Sequence, residues 1–236
     1  MKKIYVILTA LLLASGITTA SAQDNKDWGG LSRYAQSDSV VRTLPQEERR
    51  VVFIGNSITD FWYDIRPDFF QSNGYIGRGI SGQTSYQFIV RFRQDVVNLH
   101  PLAVVINTAT NDVAENTGPY DEERTMDNIK TMVDLATAAH IKVILTTTLP
   151  ASHFGWNPSI KDASEKIARL NDRIRQYAQD NGYGFVDYYS HMVTGTERSL
   201  NPNYSNDGVH PTAAGYAVME PLVQAVIDDV LAPAKQ

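Results

Sequence analysis

Three residues of this chain are of the types and spacing needed for nucleophilic catalysis: Ser57, Asp207 and His210. Ser57 follows the apolar run Val51-Val-Phe-Ile54 and then Gly55. That run predicts a buried strand that ends at the glycine and delivers the serine to a strand-to-helix turn. Ligands of open parallel α/β sheets bind outside the carboxyl ends of the strands, so a serine placed there stands where such folds do chemistry. A serine hydroxyl is a weak nucleophile until a neighbouring base takes its proton, and that base must be held in one tautomer. Asp207 and His210 lie three residues apart in Asp207-Gly-Val-His210-Pro211. This spacing lets the carboxylate reach one imidazole nitrogen and leaves the other free for Ser57. Pro211 biases His210 away from the helical region. Each feature also has a plain structural reading. Ser57 suits a helix N-cap, Asp207 suits the end of a loop, and His210 suits the residue before a helix.

Acyl transfer through a serine also needs N–H donors that converge on a tetrahedral oxyanion. Three candidates fall at predicted strand ends. One is the backbone N–H of Ser57, at a helix N-terminus where the dipole favours negative charge. The second is Gly79, where a missing side chain lets the backbone approach a substrate. The third is Asn111 in Thr108-Ala-Thr-Asn111-Asp112, although Asn and Asp after a strand also serve as turn formers.

The rest of the pattern supplies elements to hold these groups. Apolar runs at 50–55, 75–80, 102–107, 141–147 and 184–188 read as strands. Between them lie helical stretches. Residues 60–71 are broken by Pro67, 84–100 are stopped by Pro101, and 122–140 carry Met126, Ile129, Val133 and Ala136 on one face. In the next helix Ile160, Ala163, Ile167, Leu170, Ile174 and Tyr177 step at helical spacing, and Asn181-Gly182 ends it. Pro211 is expected to start a final helix reaching about Leu231. Residues 23–49 are expected to form an N-terminal helix or arm, with Leu31 and Tyr34 in helical register and Pro45 as its limit. Strand–helix alternation of this kind implies a parallel sheet of about five strands covered on both faces, a three-layer α/β/α sandwich.

Four stretches taken together resemble the SGNH (GDSL) hydrolase family: Gly55-Asn-Ser57-Ile-Thr, Arg78-Gly79-Ile-Ser-Gly82, Ala109-Thr-Asn111-Asp112 and Asp207-Gly-Val-His210-Pro. They run in family order over nearly all of residues 23–236. The resemblance implies a flavodoxin-like sheet of strand order 2-1-3-4-5. It implies Ser57 as nucleophile, His210 as general base and acid, Asp207 as its orienter, and Ser57, Gly79 and Asn111 as the oxyanion hole. The reaction would be two-step ester hydrolysis without metal or cofactor. Gly-Asn-Ser-Ile-Thr-x-x-Trp62 and Arg-Gly-Ile-Ser-Gly-Gln-Thr84 look most like the branch of platelet-activating-factor-acetylhydrolase-like and carbohydrate acetylesterases. Two positions depart from the family pattern. Asn56 stands where the family usually has Asp, and keeps one acceptor. Ala109 stands where it usually has Gly, which would cost about 1 kcal/mol if that backbone needs a positive φ.

Other classes fit less well. The chain has no cysteine, which removes disulfides and thiolate chemistry. Its five histidines, at 100, 140, 153, 191 and 210, never pair at a metal-binding spacing. Gly77-x-Gly79-x-x-Gly82 has the letters of a dinucleotide loop but no acidic residue about 20 positions on at a second strand end. Gly-Asn-Ser-Ile-Thr lacks the second glycine of the nucleophile elbow of ordinary α/β-hydrolases. A net charge of −5 argues against nucleic acid or an anionic membrane as partner. Trp62, Tyr63, Phe154 and Trp156 suit either a sugar or acyl subsite or the core.

Residues 1–22 read as a secretory signal peptide: Lys2 and Lys3, an apolar stretch from Ile4 to Leu13, and the cleavage motif Ala20-Ser-Ala22. The apolar stretch is too short to span a membrane, and no lipid-bearing Cys follows it. The expected protein is thus one exported SGNH-type domain over residues 23–236, in the periplasm or outside a bacterial cell, without a stable membrane anchor. Its expected activity is hydrolysis of short, acetyl-type esters on a small molecule or glycan. A lysophospholipase or thioesterase of the same chemistry, or a non-catalytic carbohydrate-binding relative, are the alternatives. Nothing in the chain indicates its oligomeric state.

Overall fold

A computed structural model describes residues 27–233. The expected signal peptide at 1–22 lies outside the described residues. Five strands form one parallel sheet: β1 (Val51–Gly55), β2 (Tyr75–Gly79), β3 (Ala103–Asn107), β4 (Lys142–Thr146) and β5 (Gly184–Val186), in the order β2-β1-β3-β4-β5. Every residue of β1 and β3 is buried, which is why both read as unbroken apolar runs.

Successive side chains leave a strand on opposite faces. Val52, Ile54, Val104, Ile106, Val143 and Leu145 pack on one face with α4 (Ser85–Asp95), α6 (Glu122–Ala138) and α7 (Ala163–Asn181). Val51, Phe53, Val105, Ile144 and Val186 pack on the other with α2 (Ser57–Ile65), α3 (Pro67–Gln71), α8 (Tyr188–Met192) and α9 (Ala213–Leu231). The three-layer α/β/α sandwich and its strand order are therefore as expected. Trp62 sits at the centre of the second face: it stacks on Tyr216 at 5.3 Å and Phe69 at 5.3 Å, and meets Phe53 edge-on.

Local chemistry sets the element ends. Pro67 opens α3, the N1 position where its missing N–H costs nothing. Thr84 and Gln87 form a capping box on α4. Gly182 ends α7 in the left-handed region. Several boundaries differ from expectation. The first helix after β1 begins at Ser57 rather than near Asp60, because Asn56 caps it. Strand β5 ends at Val186, since the Asp187 side chain caps α8 by accepting from Ser190 N. The last helix starts at Ala213, two residues after Pro211. In the N-terminal arm the helix is α1 (Ala35–Val41), and Leu31 lies in the turn before it, where Asp27 accepts from Leu31 N and Ser32 N. Short α5 (Thr110–Val113) and the hairpin of β6 (Val193–Thr194) with β7 (Ser199–Leu200) carry no periodicity that a sequence reading could use.

One contact ties the sheet to α2, the first helix after β1. Gly79 ends β2 opposite Gly55, and a Cβ on it would lie 2.1 Å from the backbone N of Asp60 in α2. Backbone cannot move aside as a side chain can. Gly79→Ala is thus expected to destabilise the fold by about 3 kcal/mol, the upper part of the overpacking range. Urea unfolding of the variant checks this, and a loss below about 0.5 kcal/mol would contradict the close approach.

Candidate active site

The sheet reverses its direction of growth at β1: the chain goes outward to β2, then back across to β3. Ligands of open α/β sheets bind at such a switch point. Ser57 follows β1 and Asn111 follows β3, so both stand at the carboxyl ends flanking it. The loop after β2 and the turn before α9 complete the rim.

Ser57 is the first residue of α2, not its cap. Asn56 holds the cap position, and its Oδ1 accepts from Ile58 N at 3.0 Å. Thr59 N and Asp60 N donate to the Asn56 carbonyl. The Ser57 amide, in the same first turn, makes no hydrogen bond among the described residues. Asn56 thus does the helix-capping work with its single side-chain acceptor and leaves the Ser57 N–H free.

The Ser57 hydroxyl lies 2.8 Å from His210 Nε2, and His210 Nδ1 lies 2.6 Å from Asp207 Oδ2. A carboxylate only accepts, so Nδ1 carries the proton and Nε2 is left to accept from Ser57. The carboxylate is itself held: Asp207 Oδ1 accepts from His210 N at 2.8 Å, Val209 N at 2.9 Å and Ser205 Oγ at 3.1 Å. Partial burial alone would raise the Asp207 pKa. The bonds from the His210 ring and from the His210 and Val209 amides outweigh it and hold the group at about 2. Asp207 is therefore ionised across the working range and keeps the imidazole in one orientation. Gly208, at φ +79°, makes the turn between them possible.

The third strand-end residue is in place as well. Asn111 Nδ2 donates one hydrogen to the Gln83 carbonyl at 2.9 Å, which leaves its second amide hydrogen for the cleft. The backbone before it is unusual. Ala109 has φ +83°, the left-handed conformation in which a Cβ costs about 1–2 kcal/mol. The family glycine at this position would escape that cost. Here the methyl packs in the core against the sheet, which offsets part of that cost.

Gly79 does not join this group. It is a strand residue whose missing side chain admits the backbone of α2, and its carbonyl accepts from the Tyr34 hydroxyl. It lines a separate cavity of about 360 Å³ beside β2, with Tyr34, Asp60, Tyr63 and Arg78. The glycine at the cleft is Gly82, three residues on. Gly82 has φ +80°, nothing lies within 4 Å of where its Cβ would be, and its amide makes no hydrogen bond among the described residues. A glycine inside an apolar strand run is committed to the ladder and its neighbours, whereas one in the following loop has a free backbone.

A cleft of about 290 Å³ is lined by Ser57, Phe61, Ser81, Gly82, Asn111, Asn116, Trp156 and His210. Of the aromatics singled out from sequence, Trp62 and Phe154 are core and Tyr63 faces the other cavity; only Trp156 reaches this cleft. Phe61, Ser81 and Asn116 had no distinguishing signal. Phe61 precedes Trp62 by one position, and a helix turns neighbours about 100° apart, so one faces His210 and the other the core.

The loop carrying Ser81 and Gly82 is braced from several sides. Asp60 Oδ2 accepts from Ser81 N and Oγ, and Gln83 Nε2 donates to the Gly29 carbonyl. Beneath it, Asp112 is buried and accepts from Ser85 N and Oγ at the start of α4. Burial dominates there and raises the Asp112 pKa from 3.8 to about 6, the Ser85 bonds pulling the other way. A carboxyl whose folded pKa exceeds its unfolded one binds its proton more tightly in the fold. Stability is then lost as pH rises from about 4 through about 6, by up to about 3 kcal/mol. The stability difference between wild type and Asp112→Asn should shift by that order in favour of the variant between pH 4 and pH 7, as read by urea unfolding. A constant difference over that range would contradict it.

Known proteins place this architecture. The GDSL-like lipase/acylhydrolase family pattern matches residues 53–218. Among solved structures, a candidate acylhydrolase from Bacteroides fragilis is 64% identical, with a TM-score of 0.86, over 87% of this chain and 99% of that one. A GDSL-like lipase from Bacteroides thetaiotaomicron is 55% identical, with a TM-score of 0.84, over 86% and 99%. An acetylxylan esterase from Geobacillus stearothermophilus shares the fold at 18% identity and a TM-score of 0.59, over 79% and 97%. Among curated proteins, none matches the sequence. With most of its length matched by the family pattern and by two structures of more than 50% identity, the chain belongs to the GDSL-like lipase/acylhydrolase family.

Proposed function

We propose that the protein is an exported serine esterase that removes short acyl groups, acetyl above all, from carbohydrate. The observation that carries the chemistry is the hydrogen-bonded chain from Asp207 through His210 to Ser57, at 2.6 and 2.8 Å. Ser57 Oγ attacks the ester carbonyl carbon as its proton passes to His210 Nε2. The carbonyl oxygen becomes an oxyanion facing the free N–H groups of Ser57 and Gly82 and the second amide hydrogen of Asn111. Collapse of this intermediate breaks the bond to the leaving oxygen, which takes the proton from Nε2. Water then attacks the acyl-enzyme with His210 as base, releasing the acid and restoring Ser57. Asp207 holds the imidazole and stabilises its charged form throughout.

The substrate class rests on three supports. The cleft is shallow and small, which suits a short acyl group. Exposed aromatic faces stand beside polar Asn116 and Ser81, a lining that suits sugar rings better than a long chain. The signal-like residues 1–22 would send the protein to where extracellular glycans are met.

Ser57→Ala is expected to lower kcat on an activated acetyl ester by about 10⁴-fold or more. Asn111→Ala is expected to lower it by about 10²–10³-fold, the loss of one oxyanion donor. Both are read by initial rates on residues 23–236, beside a panel of acyl esters of rising length and of acetylated glycans. Unchanged turnover in Ser57→Ala would end the proposal. Activity that climbs steadily with acyl length would favour a lysophospholipase or thioesterase instead. Saturable sugar binding without labelling by a fluorophosphonate would point to a non-catalytic carbohydrate binder.

A further inference from the structure

We infer that Trp156 is the platform on which the leaving group, a sugar ring, is stacked, and that Asn116 positions it. The inference rests on the esterase reading above and extends it to the residue that selects the alcohol side of the ester.

The direction of proton transfer fixes where the leaving group must be. The proton that completes departure comes from His210 Nε2, so the leaving oxygen sits on the His210 side of the acyl carbon. The oxyanion points the other way, toward the Ser57 and Gly82 amides and Asn111. Whatever flanks the His210 ring on the open side of the cleft therefore contacts the alcohol portion of the substrate. Two side chains do so: Phe61, with its ring centroid 5.2 Å from that of His210, and Trp156, at 6.2 Å.

Trp156 is not an ordinary surface aromatic. It is 47% exposed, yet its position is fixed on two sides. Its indole Nε1 donates to Asn116 Oδ1 at 2.9 Å, and its ring packs at 5.2 Å on buried Phe154. Asn116 Nδ2 donates in turn to the Gly82 carbonyl at 3.1 Å. The same peptide segment that offers the Gly82 amide to the oxyanion thus sets the indole through one side chain. An exposed apolar ring already held by a hydrogen bond and a packed neighbour has less entropy to lose when it binds. Its negative π face suits the weakly positive C–H face of a pyranose. Ser81 and Asn116 at the rim offer polar partners for sugar hydroxyls.

A long acyl chain would need a different wall. The acyl substituent leaves the tetrahedral carbon in a direction of its own, toward neither the oxyanion donors nor the leaving oxygen beside His210 Nε2. The chemistry at Trp156 therefore selects the alcohol rather than the acid.

The test compares Trp156→Ala and Trp156→Phe with wild type on two substrates that share the acetyl group: an acetylated xylo- or gluco-oligosaccharide and ethyl acetate. For Trp156→Ala, the loss of kcat/KM on the oligosaccharide should exceed that on ethyl acetate at least tenfold and fall mainly in KM. Trp156→Phe should recover much of it. In the Ser57→Ala background, the oligosaccharide should change the indole fluorescence of the protein, and Trp156→Phe should abolish that change. Equal losses on both substrates would overturn the inference, since Trp156 would then merely support the site. So would losses that follow acyl length instead of leaving group. If wild type hydrolyses ethyl acetate but no acetylated sugar, the carbohydrate reading itself falls, and this inference with it.

Discussion

A single buried guanidinium organises the active-site end of the sheet. Arg91, in α4, is fully buried, and its donors reach four places at once. Its NH2 nitrogen donates to the Gly55 carbonyl at 2.9 Å, at the end of β1 just before Ser57. Its NH1 nitrogen donates to the Arg78 carbonyl at the end of β2 and to Asp95, both at 2.9 Å, and its Nε to Gln83 Oε1 at 2.6 Å. A buried charge is costly unless it is paired and hydrogen-bonded. Arg91 meets that condition only when both strand ends and the 80–84 loop are in their observed places. Its planar fork of five donors makes this possible, and lysine could not replace it. The desolvation penalty thus becomes a constraint on geometry: any shift of β1 against β2, or of the loop, leaves a donor of a buried cation unpaired.

Gln83 extends the constraint to the cleft. Its side chain joins Arg91 to the Gly29 carbonyl in the N-terminal arm, while its own carbonyl accepts from Asn111. The arm is tied on again where Arg78, buried, pairs with Asp38 and stacks on Tyr34. Arm, strand ends and Asn111 are therefore parts of one hydrogen-bonded body. That rigidity matters for the proposed mechanism, because donors aimed at a developing charge help only if they do not have to reorganise. The base side is built differently. Asp207 and His210 lie on one short turn, Asp207 is half exposed, and local backbone amides rather than deep burial hold it in place. The proposed nucleophile stands where the two constructions meet.

The two departures from the family pattern have distinct physical consequences. At position 56 the side chain needs only to accept from Ile58 N, and Asn does that as well as Asp. At position 109 the backbone is left-handed, so Ala carries strain that Gly would not. Its methyl, however, fills core space, which offsets part of that cost.

Much of this protein could be read from its residues in order. Continuous apolar runs marked the buried strands, 3.6-residue periodicity marked α6 and α7, and their alternation implied a covered parallel sheet. Ser57, Asn111, Asp207 and His210 were legible because each sits in a short block whose chemistry is local: a strand-to-helix turn, or a carboxylate three residues from an imidazole. What sequence could not decide was contact between segments distant along the chain. Gly79 and Gly82 share one five-residue block, and only the approach of α2 to β2 assigns the first to packing and the second to the cleft. Phe61 and Trp62 are equally apolar neighbours, and only the position of the core says which one turns inward. Trp156 meets His210 across 54 positions, and Arg91 meets Gly55 across 36. Local propensity is written residue by residue, but which face is buried and which donor finds which acceptor are settled when the layers close.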